Sequence, residues 1–109
     1  MAIELSDQQR RLAESIRHRW LKSLVLYHSG ERERFRSLFD GIAVDAHELH
    51  QDLEQDGHYL AHDPELVRNR GVQPSDSEFY QSIHAVEDLL RLVGCEADSD
   101  QVRAARGQP

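Results

Sequence analysis

Seven histidines and twenty Asp or Glu residues in 109 positions are the side chains whose types could do chemistry. Four of the histidines, His47, His50, His58 and His62, fall in one acidic stretch. On a helix, steps of three, four and seven residues return to one flank, so His47, His50 and Glu54 would share a side. His58 and His62 would stand one turn apart if a helix continues there. Imidazole with carboxylate is a ligand set for zinc, iron or nickel, and helical-bundle metal sites use Glu-x-x-His motifs that project inward. No such motif stands on a facing helix, and Cys-x-x-Cys is absent. The His47 flank also lies beside the apolar seam rather than within it. These histidines therefore read as surface residues of an acidic helix, and no metal or other cofactor is expected. A His/carboxylate metal site, structural or catalytic, is the alternative.

Enzyme signatures are otherwise missing. The chain has no glycine-rich phosphate loop, no Gly-x-Ser-x-Gly and no paired carboxylates in an apolar setting. His62-Asp63 resembles the His-Asp pair of the HD phosphohydrolases. That family needs further His and Asp ligands on several helices, and Asp63-Pro64 is already accounted for as a helix start. Cys95, the one cysteine, cannot form an intramolecular disulfide and has no partner motif around it. Together these absences predict a protein that is not an enzyme.

Charge is the stronger signal. The formal net charge is −7, unevenly spread: residues 1–36 hold eight Arg or Lys against five Asp or Glu, and residues 37–109 hold five against fifteen. Between Arg36 and Arg68 there is no Lys or Arg, while Asp40, Asp45, Glu48, Asp52, Glu54, Asp56, Asp63 and Glu65 fall there. Such a field repels nucleic acid and attracts basic surfaces. The simpler account is a solvated helix face. The functional expectation is an acidic helical binding protein (inhibitor, immunity-type or adaptor) that sets Asp45, Glu48, Asp52 and Asp56 against a basic surface of another protein. Arg32, Arg34 and Arg36 alternate with Glu31 and Glu33, which suits a salt-bridged helix start rather than a nucleic-acid patch.

The elements that must carry these side chains are all helical. Ser6, with Gln9 three residues on and Leu5 before it, has the form of a capping box. Leu12, Ile16, Trp20, Leu24 and Tyr27 then recur at steps of three and four, and Ser29-Gly30 supplies a stop, so a first helix is predicted over 7–28. In its second half Leu21, Val25 and Leu26 point away from this stripe, which requires another segment or another chain to cover them. They are the candidate partner or homodimer contact. A second helix is predicted over 31–56 from Phe35, Phe39, Ile42, Ala46, Leu49 and Leu53, with Gly41 marking a close approach or a slight kink. A short helix is expected after Asp63-Pro64, seated by Leu66 and Val67. A third long helix starts after Pro74, with Phe79, Ile83, Val86, Leu89, Leu90 and Val93 on its apolar face and Gly94 as its end.

The fold class is thus all-α: a small bundle of three main helices plus a short helix between the second and third. It forms a single domain over 1–94, followed by a weakly ordered tail over 95–109 with at most one helical turn after Ser99. No apolar run reaches the ~18–20 residues of a membrane span. Met1-Ala2-Ile3-Glu4-Leu5 lacks a basic region leading into an apolar stretch, so a cytoplasmic location without a signal peptide is expected.

Overall fold

The computed structural model describes residues 3–58 and 76–107, with the backbone alone for 76–80 and 82. Four helices follow one another in the described residues: α1 (Asp7–His28), α2 (Arg32–Gln55), α3 (Asp76–Leu92) and α4 (Ser99–Ala105). The short helix expected after Asp63-Pro64 lies outside the described residues, as does His62.

Local chemistry sets the helix ends. The Ser6 hydroxyl accepts from the Gln9 amide at 3.2 Å, and the Gln9 side chain accepts from the Ser6 amide at 3.0 Å, which satisfies two otherwise orphaned donors. At the other end Gly30, at φ 84°, adopts a left-handed conformation that a side chain would resist. This turns the chain so that Gly30 N–H donates to Tyr27 and Glu31 N–H donates to Leu26, the paired bonds of a Schellman stop. Gly94 ends α3 by the same device, with Gly94 N–H on Arg91 and Cys95 N–H on Leu90. The turn swings Cys95 inward, to 6 % exposure.

The connection at Ser29–Glu31 folds α2 back against α1. Arg19 meets Asp45 near the middle of the hairpin, Gln9 meets Asp56 at its open end, and the Tyr27 and Phe35 rings meet edge-to-face at 5.2 Å beside the turn. Helix α1 touches α2, α3 and α4, and is the central element of the described residues. Its stripe of Ala13, Ile16, Trp20 and Leu24 is fully buried against Phe35, Phe39, Ile42, Ala46, Leu49 and Leu53 of α2 and Ile83, Val86, Leu89 and Leu90 of α3. The Trp20 indole donates to the Ile83 carbonyl at 3.1 Å, and the Ser23 hydroxyl donates to the Trp20 carbonyl at 2.6 Å, so two buried polar groups are satisfied inside the core.

Residues 95–107, expected as a tail with little to bury, carry α4. Asp98 and Gln101 cap it reciprocally, and Ala105, Cys95, Ala97 and Val102 pack on the core beside α1. This connection also answers the surplus apolar residues of α1. Leu21 shares a cleft with Glu96, Asp98 and Gln101, and both Leu21 and Leu26 are partly buried against the core. Val25 remains 48 % exposed. Gly41 marks no tight crossing, since a Cβ there would meet only the tip of Arg19 at 3.9 Å, an ordinary contact. No helix among the described residues is long and apolar enough to cross a membrane.

Candidate functional site

The outer face of α2 follows from its inner one. With Phe35, Phe39, Ile42, Ala46, Leu49 and Leu53 buried, the opposite side presents Asp40, Val44, Glu48 and Asp52, and the row runs on to Asp56 at the C-cap, all exposed and each four residues from the next. One ridge of the helix surface therefore carries four carboxylates around a valine that is 37 % exposed.

The expected acidic set is divided by the structure. Asp45 sits beside the ridge, half-buried, and its carboxylate binds the Arg19 guanidinium at 2.5 Å, so its charge is largely spent within the molecule. Asp56 accepts a hydrogen bond from the neutral Gln9 amide at 3.1 Å and keeps its charge. Glu48 and Asp52 have no basic partner among the described residues. Asp40, part of the acidic stretch but not of the expected contact set, and Val44, not expected at all, complete the row, although their four-residue spacing with Glu48 and Asp52 is visible in the sequence.

Among the described residues, the candidate metal ligands His47, His50, Glu54 and His58 do not converge. His50 is 4 % exposed, with Nε2 3.8 Å from the Glu54 carboxylate and both ring nitrogens without hydrogen-bond partners among the described residues. His47 and His58 are half-buried at separate positions, and Glu54 faces solvent. No group of three or more His, Cys, Asp or Glu side chains among the described residues is placed to hold a metal ion.

Basic charge gathers elsewhere, at the turn end of α1. Arg32 lies 4.2 Å over the Tyr27 ring. Partial burial, then the positive charges of Arg106 and Arg32, hold the His28 imidazolium less firmly than usual and push its pKa down. On α3, Arg91 forms ion pairs with Glu87, Asp88 and Glu96 at 3.1–3.3 Å, and the Glu96 hydrogen bond and charge bind its proton more firmly still.

The chain matches no family model, no curated protein and no solved structure.

Proposed function

We propose that this chain is a non-enzymatic acidic binding protein that occupies a basic surface on a partner protein, in the manner of an inhibitor, immunity-type protein or adaptor. The row Asp40, Val44, Glu48, Asp52 and Asp56 carries the reading. Like charges four residues apart on a helix destabilise it by about 0.2–0.5 kcal/mol per pair, so Glu48–Asp52 and Asp52–Asp56 work against the fold. A repulsive row that includes an exposed apolar residue suits a surface that another molecule completes. The carboxylates steer a basic partner into place, and Val44 supplies a contact that gains by losing water. Val25, exposed on α1 with Leu21 and Leu26 half-buried nearby, is the second candidate contact.

Capture from a lysate of the native host, using the immobilised parent and the E48K/D52K variant, tests the reading. Both positions are exposed, so the variant is expected to melt within a few degrees of the parent. A basic protein retained by the parent at low salt, and lost both at high salt and by the variant, is the expected result. A bound protein that ignores both changes removes the ridge from the interface.

A further inference from the structure

A second site lies away from α2, in a cleft of about 250 Å³ between α1, α3 and α4. That volume is near the lower limit for small-molecule pockets. Trp20, Leu90 and Val102 form its apolar side, and Arg103 and Arg106 bring two guanidinium groups to it. Two carboxylates, Glu87 and Glu96, also line the cleft, and both are drawn to Arg91, which they share with Asp88. Glu87 is bound by Arg91 at 3.3 Å and approached by His84 Nδ1 at 3.3 Å, and Glu96 is bound by Arg91 at 3.3 Å.

The arginines of α4 are in the opposite condition. Neither forms an ion pair with a described residue, and the Arg106 Nε is buried without an acceptor. A guanidinium without an ion-pair partner gains a charge-assisted hydrogen bond from an anion placed against its accessible nitrogens.

We infer that this cleft binds a small organic carboxylate. Its two oxygens are held by Arg106 and Arg103, and its short apolar body lies against Trp20, Leu90 and Val102. Planar guanidinium groups match a carboxylate with paired, directional hydrogen bonds, and the apolar edge left by Trp20, Leu90 and Val102 accommodates an acid that carries a few carbons. The inference stands independently of the acidic ridge, which lies on a different helix.

Trp20 is the only tryptophan, so its fluorescence reports on the cleft without a label. Titration with butyrate is expected to change that emission saturably, whereas butyramide, of similar shape and no charge, leaves it unchanged. Arg103→Gln, at an exposed position, should weaken butyrate binding about tenfold, the scale of one charge-assisted hydrogen bond. Arg106→Gln should weaken it at least as much, and Arg106→Lys should recover part of the loss. Arg34→Gln, whose arginine pairs with Glu31 away from the cleft, should leave binding unchanged. An equal response to butyramide, or unaltered butyrate binding in Arg103→Gln, overturns the proposal. Inorganic phosphate binding as tightly as butyrate overturns its apolar half.

Discussion

His50 shows what a single residue costs this bundle. It is buried to 4 % exposure, neither ring nitrogen is hydrogen-bonded among the described residues, and its nearest carboxylate there, Glu54, stands 3.8 Å from Nε2. Replacing such a group by an apolar one of similar size is close to neutral or favourable, so His50→Leu should raise stability by up to about 1 kcal/mol in urea unfolding. A loss of that size would mean the imidazole does find a partner. Ile42, Leu49 and Ile83 sit at the other extreme, at 0–1 % exposure. Truncating any of them to Ala leaves a cavity and should cost about 2–5 kcal/mol in the same assay. His28 gives the fold an acid-side sensitivity. Its pKa is lower in the folded chain than the ordinary 6.5, so the native state binds fewer protons than the unfolded one. Its contribution is therefore present above about pH 6.5 and lost as pH falls through the folded value. Parent and His28→Gln melts compared at pH 7 and pH 5 should show the larger acid loss in the parent.

At the scale of the helix, Gly41 is the simplest test of how much α2 depends on sequence alone. It sits in a helix interior with room for a methyl group, so Gly41→Ala should raise stability by about 0.5–1 kcal/mol in thermal or urea melts. A decrease would show that α2 needs its glycine. Helices α1 and α2 were legible to within a residue because each announces itself twice, by apolar spacing and by its stop at Gly30 or Gly57. Helix α4 was harder to see. Seven residues bury too little to leave a periodic stripe, and its packing on α1 depends on the Gly94 turn, a long-range consequence that spacing does not reveal. The Asp98–Gln101 capping pair was the local signal available. The candidate ridge was legible in charge but not in membership. Asp45 looks as free as Glu48 in the sequence, and only the folded hairpin brings Arg19 to it.

For the whole molecule, covering Leu21 with the α3–α4 connection reduces the apolar surface left for association, and Val25 is its main exposed remnant on α1. Any self-association through that end should appear as a dimer in sedimentation at micromolar concentration and move toward monomer in Val25→Glu. A monomer unaffected by the substitution removes the dimer contact. The central claim concerns charge. The formal net charge is −7, and each histidine that gains a proton brings it one unit toward zero, so the acidic field weakens as pH falls. The most direct measurement is the association rate of the captured basic partner, followed against salt and pH for the parent and the E48K/D52K variant. The expected result is a rate that falls about tenfold or more from low to high salt, falls again toward pH 5.5, and starts lower and flatter in the variant. A rate that is the same in both proteins and indifferent to salt would contradict the account, because the ridge on α2 would then steer nothing.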